Sequence, residues 1–146
     1  MMRIRQERLR RAREQNIPMT AQCPRWLRLV GRRNARHYQV IPDRAATLRR
    51  IFDEALTFGG HVIAGRLRQD GIPPFGKNGH WTAANVRAIL RNRAVIGVFQ
   101  PHTTVNGKRQ ADGDPITGYF PAVVDEAVFA RVQDALRQRR NTRKRD

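Results

Sequence analysis

WTAANVRAILRNR (residues 81–93) is the stretch on which the reading of the fold turns. Thr82 can cap a helix, because its hydroxyl can accept one of the backbone N–H groups that a first turn leaves without a partner, and Trp81 before it can staple onto Val86. Val86, Ile89 and Leu90 then form a buried stripe. The opposite face carries Ala84, Arg87, Ala88 and Arg91: small residues that let a helix backbone approach a groove closely, beside two long cations that reach past it. The pattern predicts an amphipathic helix over 82–92 with a recognition surface on its outer side.

Upstream, Pro42 and Asp43 start another helix, with Asp43 as the expected cap and Leu48, Ile51, Phe52, Ala55 and Leu56 at 3–4 spacing until Gly59 and Gly60. A shorter helix puts Val62, Ile63 and Leu67 on one side and stops at Gly71, since Pro73 and Pro74 forbid its continuation. The connection from Gly71 to Trp81 is too long for a tight helix-turn-helix. Residues 26–30 and 37–41 flank a polar turn and read as a short antiparallel pair. Residues 3–15 read as a polar helix whose sizeable apolar residues, Ile4 and Leu9, are too few to anchor it on a core.

Downstream, residues 95–105 read as extended, and Asn106-Gly107 is a tight-turn signal because both residues tolerate positive φ. Asp125 caps a last helix, Val124 staples onto Phe129, and Val128, Phe129, Val132 and Leu136 face inward. Residues 137–144 read as a solvated basic tail. The expected class is therefore α+β and mainly helical: a winged helix-turn-helix-like three-helix core with short β-hairpins and a C-terminal helix. The expected division is a basic helix and linker over 1–22, one domain over 23–140 and a basic tail over 141–146.

The charge narrows the function. Twenty-nine Lys and Arg against twelve Asp and Glu give +17 over 146 residues and a pI near 11.8, which points to a polyanionic partner, nucleic acid first. Nearly all the cations are arginine, whose planar fork pairs with phosphate or with a guanine edge. A GC-rich genome would favour arginine over lysine, but it would not explain the shortage of acids. Residues 1–40 carry a net +9, 41–126 only +3 and 127–146 +5, and no acid lies between Asp70 and Asp112. Cys23 is the single cysteine, so an internal disulfide and a cysteine-paired zinc site are excluded. No segment has the apolar length of a secretory signal or a membrane span, and a reducing cytoplasm, beside the nucleoid, is the expected setting.

Several residues are candidates for DNA contact. Arg87 and Arg91 could meet base edges or phosphates; Lys77, Asn78 and His80, in a Gly-rich loop, could touch phosphate near a helix N-terminus. Arg93 lies in the same acid-free gap. Arg32, Arg33 and Arg36 cluster in the first turn and could follow the backbone, while Lys108 and Arg109 flank the tip of the later hairpin. Trp26, Trp81, Tyr38 and Tyr119 sit in apolar stretches and read as packing rather than base-stacking. His37, His61, His80 and His102 show no ligand spacing, so no metal and no cofactor are expected. Tyr119, in Gly-Tyr-Phe-Pro, lacks the surrounding arginines and histidine that tyrosine-based recombination needs.

Residues 23–139 resemble a known family. Cys23-Pro24-Arg25-Trp26-Leu27, Val40-Ile41-Pro42-Asp43, Arg50-Ile51-Phe52, Gly71-Ile72-Pro73-Pro74, Trp81, Ile89-Leu90-Arg91-Asn92-Arg93, Ile96-Gly97, Phe99-Gln100-Pro101, Gly118-Tyr119-Phe120-Pro121 and Val124-Asp125, in this order and spacing, are similar to the recombinase DNA-binding domain of the large serine recombinases. In that family the domain follows a catalytic domain, and a long helix joins the two; residues 3–15 are similar to the tail of that helix. The resemblance implies double-stranded DNA as the partner, an attachment-type site as the target, and the catalytic domain of the same recombinase as a neighbour. The family's chemistry is attack by a serine hydroxyl on a DNA phosphate. This sequence contains no serine, so no catalytic residue can be carried over and the chain alone is not expected to be an enzyme. The family's cysteine-rich zinc-binding segment is missing as well. Arg68 departs from the pattern, in which asparagine commonly follows the leucine matched by Leu67. The alternative is a free-standing basic nucleic-acid-binding protein, either a remnant that competes with intact recombinase or an RNA binder.

Overall fold

The computed structural model describes residues 2–20, 22–32, 35–76 and 79–145. Among these, five α-helices and two small antiparallel hairpins give the expected α+β, mainly helical class. The chain folds into two compact units, each built from two separate stretches: residues 1–40 with 93–122, and residues 41–92 with 123–146.

The helical unit contains α2 (Pro42–Ala55), α3 (Gly60–Gln69), α4 (Ala83–Arg91) and α5 (Glu126–Arg145). α2 packs on α3, α4 and α5, and α4 packs on α3 and α5. Asp43 does not cap α2: Pro42 takes the first helical position, so the cap falls on Ile41, whose side chain accepts nothing. Asp43 lies instead in the first turn, where its charge meets the positive end of the helix dipole. Leu48, Ile51 and Phe52 are fully buried, but Leu56, just past the helix, is 42% exposed. The α3 stripe is Ile63, Ala64 and Leu67, and it leaves Val62 46% exposed rather than buried.

Trp81 organises the long passage from α3 to α4. Its indole Nε1 donates to the Ile72 carbonyl at 3.1 Å, its ring meets Phe75 edge-on, and Arg68 Nη1 donates to the Trp81 carbonyl at 2.6 Å. The residue that departs from the family pattern thus ties α3 to the start of α4. α5 begins as expected, with Asp125 Oδ1 accepting from the Ala127 N–H at 2.8 Å and Val124 and Phe129 buried. The expected tail is helical through Arg145, because arginine, lysine and glutamine are good helix formers and Arg139 is held: its Nη2 donates to the Ala55 carbonyl at 2.6 Å. That contact sets a cation against the C-terminus of α2.

The other unit contains α1 (Met2–Gln15), β1 (Leu27–Val30), β2 (His37–Val40), β3 (His102–Val105) and β4 (Lys108–Ala111). β1 and β2 pair antiparallel, Leu27 opposite Val40, and β3 pairs with β4 across Asn106 and Gly107, both at positive φ as a two-residue turn requires. The stretch from 95 to 97 is not extended as expected, although Phe99 beyond it pairs antiparallel with Ile116. Arg93–Ile96 forms a 3-10 turn, and Gly97 follows at φ 90° with its carbonyl accepting the N–H groups of Tyr119 and Phe120. A Cβ on Gly97 would lie 2.7 Å from the Phe120 carbonyl oxygen, so only glycine fits. The hairpin β3–β4 belongs to this unit and not to the helical unit of α2 to α5.

The core here is aromatic. Tyr119 stacks on Phe99 with centroids 4.5 Å apart, Phe120 stands edge-on to Tyr119, and the Tyr38 and Tyr119 hydroxyls lie 3.0 Å apart. Those hydroxyls hold the segment after α1: Tyr38 donates to the Thr20 carbonyl at 2.9 Å, and Tyr119 accepts from the Met19 N–H at 2.6 Å. Burial, then the bond to Tyr119, pushes the Tyr38 phenol well above its ordinary range. Trp26, Trp81, Tyr38 and Tyr119 are all buried, as their apolar surroundings predict.

α1 is anchored despite its polarity. Ala12 is fully buried, Arg5 donates to the His102 carbonyl at 2.6 Å and to Asp112 at 2.8 Å, and Arg13 donates to the carbonyls of Asp112 and Asp114, each at 2.9 Å. Arginine contacts to β3 and the loop after β4 replace the apolar anchor that the sequence lacks.

Candidate nucleic-acid interface

The structure sorts the arginines into two kinds. In the helical unit Arg49, Arg50, Arg66, Arg68 and Arg139 are committed to internal contacts. Arg49 donates to the Val123 carbonyl at 3.1 Å; Arg50 bridges Glu54 and Asp70, which holds its guanidinium above its ordinary pKa; and Arg66 pairs with Glu54 while lying over the Phe58 ring. Arg87 and Arg91 differ. Both are exposed on α4, one turn apart, and neither has a hydrogen-bond or ion-pair partner among the described residues. Ala84 and Ala88 are exposed on the same face, while Val86 and Leu90 are fully buried on the other and Ile89 is partly so.

The helix that carries them is firmly set. Thr82 Oγ accepts the Asn85 N–H at 3.1 Å, Gln133 of α5 donates to the Leu90 carbonyl at 2.7 Å, and Arg68 holds the Trp81 carbonyl one residue before the cap. α4 also lies close to the start of α3, where Gly60 faces the Ala83 carbonyl and the Arg87 side chain. Its outer face sets two small residues, Ala84 and Ala88, beside two cations.

Other candidates fall elsewhere. His80 is exposed in the same unit, just before Trp81. Lys77, Asn78 and Arg33 lie outside the described residues. Arg32, Arg36, Arg93, Lys108 and Arg109 belong to the other unit and are exposed. Of these, Arg36 and Arg109 line one open trough of about 1470 Å³, together with Arg5, Arg8 and Arg11 of α1. Arg109 Nη2 approaches His102 Nδ1 at 3.4 Å. Arg8 and Arg11 are not among the residues expected from the sequence; the 3–4 spacing of Ile4, Arg8, Arg11 and Gln15 signals their shared face. Among the described residues no three His, Cys, Asp or Glu side chains converge as a metal site would require, and no helix is long and apolar enough to cross a membrane.

The sequence model of the Recombinase family matches residues 42–139 of this chain, which is more than half of it. This chain belongs to the Recombinase family. The matched recombinase region runs from the first residue of α2 into the second half of α5 and so takes in α4 and the β3–β4 hairpin. The chain is also 33% identical over 123 residues to the uncharacterized protein YbcK of Escherichia coli (strain K12), covering 83% of this chain and 23% of YbcK. A solved structure described as that of an LSR–DNA complex shares its fold, with a TM-score of 0.61 at 18% identity over 93% of this chain and 38% of that one. The chain therefore spans about a quarter of its curated relative and well under half of its structural neighbour.

Proposed function

We propose that the chain is the sequence-directed, duplex-DNA-binding module of a site-specific serine recombinase, bringing a catalytic domain to an attachment-type site. The observation that carries this is the outer face of α4: Arg87 and Arg91, exposed and without partners among the described residues, flanked by Ala84 and Ala88 on a helix fixed from three sides. A helix of this kind fits the major groove, with its small residues admitting close approach. Membership of the Recombinase family and the fold shared with an LSR–DNA complex support the same reading.

Phosphate neutralisation dominates the affinity in this proposal, supplied by α4 and by Arg32, Arg33, Arg36, Arg93, Lys108 and Arg109, with Lys77, Asn78 and His80 before α4. Residues 1–22 act as the tail of a connecting helix and its linker, 23–140 as the DNA-binding domain and 141–146 as a basic end. The module works beside chromosomal DNA. It performs no strand cleavage alone, because no serine in it can supply the hydroxyl.

The test is a fluorescence-anisotropy titration of the chain against random duplex DNA, single-stranded DNA and duplex RNA over a series of salt concentrations. The duplex DNA is expected to bind best, with log K falling linearly in log salt at a slope of about 0.9 per phosphate neutralised. A preference for duplex RNA, or an absence of binding, contradicts the proposal. A supercoiled plasmid incubated with the chain is expected to stay intact.

A further inference from the structure

We infer that, within the proposed reading of α4 as the helix that enters the major groove, Arg87 selects the sequence by forking onto the O6 and N7 atoms of one guanine, and Gly60 is the positioning residue that aims it. Arg91 has the different task of holding a phosphate.

Three observations lead there. Arg87 occupies the middle of α4, one turn after Ala83 and Ala84, whereas Arg91 is the last helical residue. Recognition helices present their N-terminal part to base edges, so Arg91 lies toward the end that leaves the groove. The second observation is the brace. Gly60 opens α3 directly beneath Arg87: a Cβ added there would lie 3.2 Å from Arg87 Cγ, 3.5 Å from Arg87 Nε and 3.3 Å from the Ala83 carbonyl oxygen. The stem of Arg87 therefore rests across the bare backbone of α3, in space that any side chain at 60 would take. The third is that the guanidinium remains exposed and has no partner among the described residues, although its stem is braced.

A braced stem with a free fork is what bidentate recognition needs. Arginine's long side chain has many rotamers, and fixing them on binding opposes selectivity; a planar fork already held in one direction loses less. The fork matches the two acceptors that guanine alone presents side by side in the major groove. A point contact with phosphate, the task of Arg91, does not require such a brace. Glycine at 60 is thus explained by what lies above it, the Arg87 stem and the Ala83 carbonyl: its place as the first residue of a helix does not demand glycine, and its φ is not in the left-handed region.

The test selects binding sites from a randomised duplex pool with the full chain and with Arg87→Ala, Arg87→Lys, Arg91→Ala, Gly60→Ala and the double variant Gly60→Ala/Arg87→Ala, and measures thermal unfolding of each. The wild-type chain is expected to enrich a G·C pair at one fixed position. Arg87→Ala lowers that preference roughly tenfold or more, and Arg87→Lys does the same while keeping most of the affinity for random duplex, because the charge stays and the fork goes. Arg91→Ala weakens binding to all duplexes alike and reduces the salt slope by about 1. Gly60→Ala lowers the guanine preference several-fold; because its Cβ also meets the Ala83 carbonyl oxygen at 3.3 Å, it shifts the unfolding midpoint slightly and equally with and without Arg87, and it changes the guanine preference no further once Arg87 is alanine. Survival of the guanine preference in Arg87→Ala overturns the inference, as does a Gly60→Ala loss of that preference that is the same with and without Arg87. A wild-type chain that binds duplex DNA without any base preference overturns it too while leaving DNA binding intact, and a chain that binds no duplex removes the reading beneath it.

Discussion

Replacing Gly97 by alanine tests the account of the hairpin-bearing unit most directly. At φ 90° an L-residue pays about 1–2 kcal/mol for its backbone conformation. The new methyl would meet the Phe120 carbonyl oxygen at 2.7 Å, so Phe120 must retreat by several tenths of an ångström. The hydrogen bonds from the Tyr119 and Phe120 N–H groups to the Gly97 carbonyl, 2.9 and 3.1 Å long, stretch with it, and each is worth about 0.5–1.5 kcal/mol net. The reduced entropy of the unfolded alanine chain returns about 0.4–1 kcal/mol. The sum is a loss of about 2–3 kcal/mol, a large share of the 5–15 kcal/mol that typically holds a domain.

Each unit contains one of the two tryptophans, Trp26 and Trp81, so urea melts in a Trp81→Phe background follow the affected unit through Trp26. Gly118→Ala is the control, since Gly118 is also at positive φ but a Cβ there meets nothing closer than 3.7 Å; it is expected to lose only the backbone cost, about 1 kcal/mol. If Gly97→Ala proves no costlier than Gly118→Ala, the close approach to Phe120 does not constrain the fold.

Thr82→Ala removes the acceptor for the Asn85 N–H and is expected to cost about 1 kcal/mol in thermal or urea unfolding, with a weaker duplex affinity because the face carrying Arg87 frays. Glu54→Gln strips the charge from a carboxylate that accepts from both Arg50 and Arg66 and whose side chain is 12% exposed; since its partners are partly in solvent, the expected loss in urea melts is about 1 kcal/mol. Tyr38 makes stability fall in alkali. Its folded pKa is raised, so its contribution is complete below the unfolded value near 10 and is lost as pH rises from there toward the folded value. Urea melts between pH 9 and 11 should show a decline that is shallower in Tyr38→Phe, and equal slopes would contradict the burial of its phenol.

The parts of the fold that local chemistry determines were legible in the sequence. Thr82 and Asp125 cap their helices, Asn106-Gly107 turns as those residues favour, and the buried stripes of α2 and α4 follow their 3–4 spacing. What depends on partners far along the chain was not. Arg5 and Arg13 anchor α1 to residues about a hundred positions away, and nothing in the run 3–15 signals them. The extension expected from 95 fails because Gly97 bends the chain onto Tyr119 and Phe120. Periodicity continued through Leu56 and Val62, but it cannot report that a helix has ended or which side faces water. In the interface the charged face of α4 was readable, whereas the division of arginines into committed and free, and the place of Gly60 beneath Arg87, exist only once α2, α3 and α4 have packed.

The interleaving of the two units has a consequence for how the protein is made. The backbone passes from one unit to the other three times, at 40–41, 92–93 and 122–123. As a nascent chain lengthens from its N-terminus, β1 and β2 emerge early but wait for residues 93–122 to bring Phe99, Tyr119 and Phe120, and the three helices that follow them wait longer still for α5. A premature stop codon anywhere between α4 and α5 would therefore release a polypeptide with the second unit unfinished, and one before Phe120 would leave both unfinished. Gene fragments that end there should yield protein that quality control removes, not a smaller working binder.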